Sequence, residues 1–442
     1  MNPTAVAADA IANRRPDPAG DEAVFAKVSW HIMPLLFICY FIAYLDRVNI
    51  GYAQLQMKQT LPFSDAVYGL GAGIFFIGYF LFEVPSNLML EKIGARKTLL
   101  RIMFFWGIVA AGMMFVTTPT MFYVLRFLLG AFEAGFFPGI ILYLTFWYPP
   151  ARRGQIIAIF MAATTVAGVI AGPLSGGTMK FLDGANGWNG WQWLFLVQGL
   201  PASILGIVAY FYLQDKPEDA RWLQPAEKKV LRDHLAHDAG LVATAGHASM
   251  WQMLRDPKVY QLSLVYFLLL GATYTMVFWV PTLIKGWGVS DLFMIGLYAA
   301  IPNVVGVIGM VIVGRSSDRH KERRWHFFVC TVIAAVGLGL TVLTQGSFIG
   351  SMLSLCVAVV GIASATPLFF TVTSEYLTKA AAAGGIALVS SLGNLGAAVS
   401  PSITGAINTA TGTPTYSMYL VMTLYLVSGI LLVLSVRAAR SA

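Results

Sequence analysis

The sequence contains very little charge. Asp, Glu, Lys and Arg make up 11% of its 442 residues, whereas hydrophobic residues make up 57%. Soluble globular domains carry about 25% charged residues, so this composition excludes them. The apolar runs are continuous and do not alternate with polar residues, which excludes a membrane β-barrel. The sequence therefore predicts an all-α membrane protein, in which each spanning helix needs about 20 apolar residues.

Cysteine and histidine are also scarce. Cys39, Cys330 and Cys356 lie in or at apolar runs, where they act as small hydrophobic residues, so no disulfide framework is predicted. The six histidines are scattered, and no nucleophile lies in a pattern with a base. We therefore predict no metal, no cofactor and no enzyme activity.

Twelve apolar runs are long enough to span a membrane, six on each side of one long polar segment. The predicted organisation has five parts. They are a cytoplasmic N-terminal tail (1–29), a first six-helix bundle (30–213), a cytoplasmic linker (214–257), a second six-helix bundle (258–436) and a cytoplasmic C-terminal tail (437–442).

The basic residues indicate the orientation. Lys58, Lys180 and Lys285 fall in loops on one side of the membrane, whereas most of the 29 lysines and arginines fall on the other. Lys and Arg are enriched in cytoplasmic loops, so we expect both termini in the cytoplasm. This bias also explains the net charge of +8 without a nucleic-acid partner. The polar N-terminal segment has no apolar core before a cleavage site, which favours a tail over a signal peptide.

An internal repeat relates the two halves. The loop after span 2 reads NLMLEKIGARK, and the loop after span 8 reads GRSSDRHKERR, with acids and bases at the same spacing 227 residues later. The paired residues are Glu91, Lys92 and Arg96 in the first loop and Asp318, Arg319 and Arg323 in the second. GVIAGPLSGG around Pro173 and GAAVSPSITG around Pro401 repeat at nearly the same shift. Because each half has six spans, these are parallel repeats.

Parallel six-helix repeats resemble the major facilitator superfamily, and both loops resemble its signature, G-x-x-x-D-R-x-G-R-R. Asn87 and Lys321 stand where the family usually has glycine. The resemblance implies that the loop acids and bases tie helix ends together and gate the cytoplasmic side. Gly172 and Pro173 are expected to serve packing and bending. The glycine string GLGAG at 69–73 has no strand before it, so packing is favoured over nucleotide binding.

Charges inside the spans are concentrated in the first half: Asp46, Arg47, Glu83, Arg126 and Glu133, with Glu375 near the end of span 10. The repeat shift carries Asp46 and Arg47 onto Thr273 and Tyr274, which are uncharged. Ionisable residues at this depth are costly and indicate function. We therefore expect the first half to supply the charge chemistry and the second half to select the substrate.

Helical spacing places Tyr40, Tyr44 and Arg47 on one face of span 1. Arg126 and Glu133 share a face of span 4, and Tyr79 precedes Glu83 by one turn in span 2. An arginine fork binds a carboxylate bidentately, and phenols add hydrogen bonds, so these faces favour an organic anion. The alternative is that Arg47 and Arg126 only neutralise Asp46 and Glu133 as structural pairs.

Asp46 and Glu133 are candidate proton carriers, because a buried carboxylate can take up a proton whereas arginine remains charged. Protonation of both would leave surplus positive charge for an anion. Proton and anion binding would then favour each other, which is the thermodynamic requirement for symport.

Long segments of the first half, YLDRVN, YGLGAGIFFIGYFLFEVPSN and RFLLGAFEAGFFPG, resemble the anion:cation symporter family within that superfamily. The resemblance implies a bacterial inner-membrane, proton-coupled importer of organic acids. It places a substrate carboxylate against Arg47, with Tyr44, Tyr79 and Asn394 nearby and Asp46 and Glu133 coupling protons. We include Arg126, Tyr40 and Tyr274 among the candidate substrate-binding residues.

The expected substrate is a tartrate-like hydroxy-dicarboxylate or an aromatic carboxylate such as phthalate or hydroxyphenylacetate, both favoured by Phe369 and Phe370 over a sugar acid. The alternatives are a galactonate-like sugar acid carried with protons, or exchange of organic anions. The expected partners are the anion, protons and the lipid bilayer, and a functional monomer is expected.

Overall fold

The computed structural model describes residues 18–244, 255–377 and 379–436. The regular elements in these ranges are helices, and twelve spans are long and apolar enough to cross a membrane. The predicted all-α membrane class is therefore confirmed.

The first six spans come before the linker, and spans 1 and 4 each consist of two consecutive helices. The helices are Pro18–Val48 and Ile50–Thr60 (span 1), Asp65–Ile93 (span 2), Ala95–Gly112 (span 3), Pro119–Glu133 and Phe136–Thr145 (span 4), Pro150–Phe181 (span 5) and Gly190–Tyr212 (span 6).

The second six spans follow the same order. Their helices are Pro257–Gly286 (span 7), Leu292–His320 (span 8), Arg324–Leu343 (span 9), Phe348–Tyr376 (span 10), Lys379–Thr411 (span 11) and Thr415–Ser435 (span 12). A linker helix, Pro225–Thr244, lies between the two bundles in the sequence.

The first helix begins at Pro18, well before the apolar run, and this extension contacts the linker helix. Lys27 forms an ion pair with Glu227 (Nζ to Oε2, 2.8 Å), and His234 lies 2.9 Å from Asp21 (Nε2 to Oδ2). The start of the linker helix is thus attached to the first bundle.

Span 4 corresponds to one of the twelve predicted apolar runs, but it is not a single helix. Its first helix ends at Glu133, and Gly135 adopts a left-handed backbone (φ +84°) before the second helix begins. A side chain at Gly135 would also collide with the Ser86 hydroxyl. The break places Glu133 at a helix end in the interior of the bundle.

The two signature loops have equivalent backbones. Gly94 has φ +88°, and Lys321, 227 residues later, has φ +50°. Glycine is favoured at positive φ, so the backbone explains why a glycine is usual where this chain has Lys321.

Charged residues of the signature loops tie helices together within each half. Arg96 donates to the Tyr210 carbonyl (Nη2 to O, 2.6 Å), and Arg323 pairs with Asp318 (2.7 Å) and Glu375 (3.6 Å). Lys92 and Arg319 are exposed. The side chain of Glu91 lies outside the described residues. The gating roles of these residues remain predictions.

The two bundles meet along two seams on the side of the membrane that carries the loop between spans 1 and 2, which we call the sealed side. In the seam between spans 2 and 11, a Cβ atom at Gly69 would lie 2.4 Å from the Pro401 carbonyl oxygen, and one at Gly73 would lie 2.1 Å from that of Ala398. The glycine string GLGAG therefore serves close packing.

The seam between spans 5 and 8 is built in the same way. A Cβ atom at Gly172 would lie 2.2 Å from the Gly296 carbonyl oxygen, and one at Gly176 would lie 2.2 Å from that of Leu292. Pro173 lies inside the span 5 helix, next to this crossing. The glycine-rich segment of span 5 thus allows close approach of the two halves.

Polar contacts reinforce the sealed side. Gln54 donates to the Phe278 carbonyl (2.8 Å), and Lys180 forms an ion pair with Asp291. Each contact joins the first half to the second, so the halves are held together on this side of the membrane.

Candidate functional site

Arg47 joins the two halves at mid-depth. Its Nη2 forms an ion pair with Glu133 Oε1 in the first half, and its Nη1 donates to the Tyr274 hydroxyl in the second (3.2 Å). Arg47 and Tyr274 are 227 residues apart, so they are equivalent positions of the repeat. Equivalent positions touch only near the axis that relates two repeats, so Arg47 lies close to the centre of the molecule.

Aromatic rings from span 2 enclose the guanidinium group. The Arg47 Cζ lies 5.6 Å from the centre of the Phe75 ring and 5.5 Å from that of Tyr79. Rings within about 6 Å of a cation attract it. Span 2 thus places Tyr79 beside Arg47, as expected for this pair of candidate residues.

Arg126 is almost completely buried, with 1% of its surface exposed. Its Nε donates to the Gly71 carbonyl (3.1 Å), its Cζ lies 4.9 Å from the centre of the Phe75 ring, and its Nη2 has no hydrogen-bond partner. No carboxylate pairs with it within the described ranges. Glu133 Oε2 is likewise buried and unpaired. A buried cation with a free donor is suited to bind an anion.

Asp46 does not pair with Arg47. It accepts hydrogen bonds from Trp106 Nε1 (2.8 Å) and Asn49 Nδ2 (3.1 Å) and is 2% exposed. Successive side chains of a helix point about 100° apart, so neighbours in sequence lie on different faces. Arg47 pairs with Glu133 and not with its neighbour Asp46, and the alternative that these charges only neutralise each other as structural pairs stays untested.

The tyrosines of span 1 separate into two environments. Tyr40 stacks on Phe160, with ring centres 4.4 Å apart, and belongs to an aromatic cluster with Phe136 and Phe137. Tyr44 instead lines a cavity of about 90 Å³ between the halves. One helical face thus serves packing at Tyr40 and the cavity at Tyr44.

The cavity is mainly apolar, and its polar side chains are Tyr44, Tyr52, Thr273 and Asn303. Asn303, which the sequence analysis missed, donates from span 8 to the Gly168 carbonyl of span 5 (3.1 Å). Asn394 is half-buried in span 11. The contact of Asn394 with substrate stays a prediction.

Phe369 and Phe370 pack inside the second bundle. Phe369 is fully buried and stacks on Tyr266 with ring centres 4.9 Å apart, and Phe370 meets the same ring edge-on at 5.0 Å. Phe369 is therefore a core residue, and this aromatic pair no longer favours an aromatic substrate.

A second polar contact between the halves lies one helical turn from Tyr79. Ser391 of span 11 donates to Glu83 Oε2 of span 2 (3.2 Å). The sequence identifies Glu83 as an intramembrane charge but offers no signal for its partner, because Ser391 is 308 residues away.

The family model of the Major Facilitator Superfamily matches residues 36–390. A putative metabolite transport protein of Pseudomonas putida is 45% identical over 89% of this chain and 90% of its own length. A putative tartrate transporter of Agrobacterium vitis is 45% identical over 95% of this chain and 92% of its own length.

Among solved structures, a bacterial homologue of the human lysosomal transporter Spinster, in an inward-facing and occupied conformation, superposes with a TM-score of 0.73. It is 17% identical, and the match covers 91% of this chain and 94% of the homologue. At this identity the likeness concerns the fold.

Proposed function

Because the chain belongs to the Major Facilitator Superfamily, it is a multi-pass membrane transporter of organic substrates and not an enzyme, and we propose that it imports an organic carboxylate together with protons. The name of the Agrobacterium vitis relative favours a tartrate-like hydroxy-dicarboxylate. Phthalate-like, hydroxyphenylacetate-like and galactonate-like acids remain in the proposed panel. The protein acts as a monomer in a bacterial inner membrane, with both termini in the cytoplasm.

The contact of Arg47 with Glu133 carries this proposal. A substrate carboxylate and the Glu133 carboxylate compete for the same guanidinium group. Protonation of Glu133 removes its charge and releases Arg47, so a proton bound there raises the affinity for an anion. An anion bound to Arg47 favours protonated Glu133 to the same extent, because linkage is reciprocal.

The remaining charges support the same coupling. Arg126 adds a buried positive charge with an unpaired donor, while Asp46 is held by the neutral donors Trp106 and Asn49. Protonation of Asp46 and Glu133 therefore leaves two arginines facing an anion.

Moving one negative charge into a cell costs about 2.3 kcal/mol per 100 mV. One coupled proton makes entry of a monoanion electroneutral, and a second lets the membrane potential drive uptake.

Alternating access follows from the seams. With cytoplasmic termini, the sealed side faces away from the cytoplasm, so the structure is closed towards the outside. Opening of the seams at Gly69–Pro401 and Gly172–Gly296, with closure of the opposite side, would expose Arg47 to the outside. Arg47 and Tyr274 belong to different halves, so this rocking remakes their contact.

Exchange of organic anions is the second candidate. Arg47 already has Glu133 as an internal counter-ion, so its charge is balanced when no substrate is bound. In an exchanger this balance would not require a proton, and both Asp46 and Glu133 would be structural.

Uptake into proteoliposomes distinguishes the two functions. We expect tartrate, from a panel with galactonate, phthalate and hydroxyphenylacetate, to accumulate when the outside is acidic and the inside contains no anion. Uptake that ignores the proton gradient and requires an internal organic anion would replace symport by exchange. No uptake of any acid in the panel would contradict the carboxylate substrate itself.

A further inference from the structure

We infer that Glu83 is a third proton-coupling residue, which links protonation to the seam between spans 2 and 11. The inference rests on the proposed proton symport and adds a residue to it. Ser391 is the hydrogen-bond partner of Glu83 within the described ranges, and it belongs to the other half. A carboxyl group and a hydroxyl group from different bundles therefore form one contact at membrane depth.

The contact continues the seam beyond its glycine-packed section. Proceeding from the sealed side, span 2 meets span 11 at Gly69 with Pro401, then at Gly73 with Ala398, and then at Glu83 with Ser391. The first two contacts are backbone packing that a proton cannot alter. Glu83 is the position along this series where a change of charge acts on the contact between the halves.

The other seam ends in a neutral contact. Spans 5 and 8 meet at Gly176 with Leu292, at Gly172 with Gly296, and then through the Asn303 amide donating to the Gly168 carbonyl (3.1 Å). Neither group of this last contact titrates. A proton can therefore loosen the seam between spans 2 and 11 without changing its counterpart.

The charged surroundings connect Glu83 to the anion site. Arg47 from span 1 and the Tyr79 phenol, one turn away on span 2, lie towards the site. The other charged groups near Glu83 are Arg126 and Glu133 from span 4. Arg101 of span 3 lies close by, since it donates to the Ser86 hydroxyl of span 2 (2.7 Å). Span 11 has no acid or base after residue 384. Arg47 is thus the shared neighbour through which the charge of Glu83 acts on a bound anion.

Charge counting gives the expected consequence. Arg47 and Arg126 contribute two positive charges, and ionised Asp46, Glu83 and Glu133 contribute three negative charges. This group of five charges is then net negative, so an anion is favoured only after at least two acids are protonated. Protonation of Glu83 also converts a charge-assisted hydrogen bond with Ser391 into a weaker neutral one. The same proton therefore favours the anion and loosens one seam.

Glu83→Gln tests the inference, because glutamine keeps the shape and the acceptor oxygen but cannot titrate. Uptake of tartrate, or of the acid in the panel that the wild-type chain accumulates, is measured in proteoliposomes at fixed pH difference with the membrane potential clamped at zero. Each coupled proton multiplies the limiting accumulation by about tenfold per pH unit. We expect Glu83→Gln to lose about tenfold in limiting accumulation per pH unit while substrate exchange is retained.

Ser391→Ala is the matched control, since it removes the hydrogen bond and leaves the acid. We expect it to keep the wild-type limiting accumulation. Substrate affinity is then measured between about pH 5.5 and about pH 8, the range around physiological pH. We expect the affinity to fall with rising pH less steeply in Glu83→Gln than in the wild-type chain.

Equal limiting accumulation in Glu83→Gln and the wild-type chain would overturn the inference and leave proton symport intact. Loss of exchange in Glu83→Gln would also overturn it, because the residue would then be structural or bind substrate directly. A wild-type chain that ignores the proton gradient would overturn the proposed symport, and the inference with it.

Discussion

The two halves of the protein share a scaffold and differ in charge. Both seams bring a glycine of one half against the backbone of the other, at Gly69–Pro401 and Gly172–Gly296, and both signature loops turn through a positive φ. The charges Asp46, Arg47, Arg126 and Glu133 lie buried or half-buried in the first half, and uncharged residues stand at the equivalent positions of the second. The shared features hold the bundles together, and the unshared ones form the candidate site.

Arg47→Ala is the strongest test of this difference. Removing one partner of a buried, hydrogen-bonded charge pair between protein and ligand costs about 2–5 kcal/mol of binding free energy, so we expect substrate affinity to fall by about 10²- to 10³-fold. The measurement is equilibrium binding of the transported acid to purified protein. Tyr274→Phe, which removes the neutral partner in the second half, should have a far smaller effect. Similar losses in both variants would show that the second half contributes as much as the first.

Glu133→Gln separates binding from coupling within the charged half. Glutamine cannot carry a proton, so we expect anion exchange to persist and gradient-driven accumulation to disappear. Both activities are measured in the same proteoliposomes, with and without an acidic exterior. If the two fall in parallel, Glu133 is needed for the structure of the site and does not couple protons.

Gly172→Ala tests the shared scaffold. The added Cβ atom would lie 2.2 Å from the Gly296 carbonyl oxygen, and overpacking costs about 1–3 kcal/mol, so the sealed side should open more often. Labelling of Asn408→Cys by a membrane-impermeant maleimide reports this opening, because Asn408 lies at the sealed end of span 11 with 5% of its surface exposed and the three native cysteines are buried. Gly314→Ala is the control, since nothing lies within 4 Å of its added Cβ atom. Equal labelling in both variants would mean that the seam does not hold the sealed side closed.

Asp291→Asn should have the smallest effect. The Lys180 side chain and the Met294 backbone N–H donate to Asp291, which lowers the pKa of its carboxyl group below the ordinary aspartate value. The ion pair is therefore fully formed at pH values above the ordinary aspartate pKa. It is lost as the pH falls through the lowered pKa of Asp291. An exposed pair is also screened by salt. We expect a slight, salt-sensitive rise in maleimide labelling of Asn408→Cys at neutral pH. A rise as large as that of Gly172→Ala would show that the ion pair, and not the glycine packing, closes this side.

The sequence was sufficient for the fold because composition and the repeat act over the whole chain. The repeat predicted equivalent loops, and the left-handed backbones of Gly94 and Lys321 agree with it. The break in span 4 was missed, although Gly135 and Pro138 both signal a helix interruption.

The candidate site was harder to predict, because helix periodicity identifies faces and not partners. It identified Arg47 and Tyr79 as candidates on separate helices, and the structure brings these two side chains together. The Trp106–Asp46 hydrogen bond and the Glu83–Ser391 contact join distant segments and leave no local pattern. The pairing of Arg47 with Glu133 depends on the relative rotation of spans 1 and 4, which the repeat does not determine.

The contact between Arg47 and Tyr274 suggests why the duplicated halves diverged. A residue on the axis of a duplicated protein faces its own copy, so an arginine there would have met a second arginine. At the 3.2 Å that separates Arg47 Nη1 from the Tyr274 hydroxyl, two like charges would repel by about 5 kcal/mol at an effective dielectric constant of about 20. Only one copy could keep the cation, and the other is now a phenol that accepts its hydrogen bond.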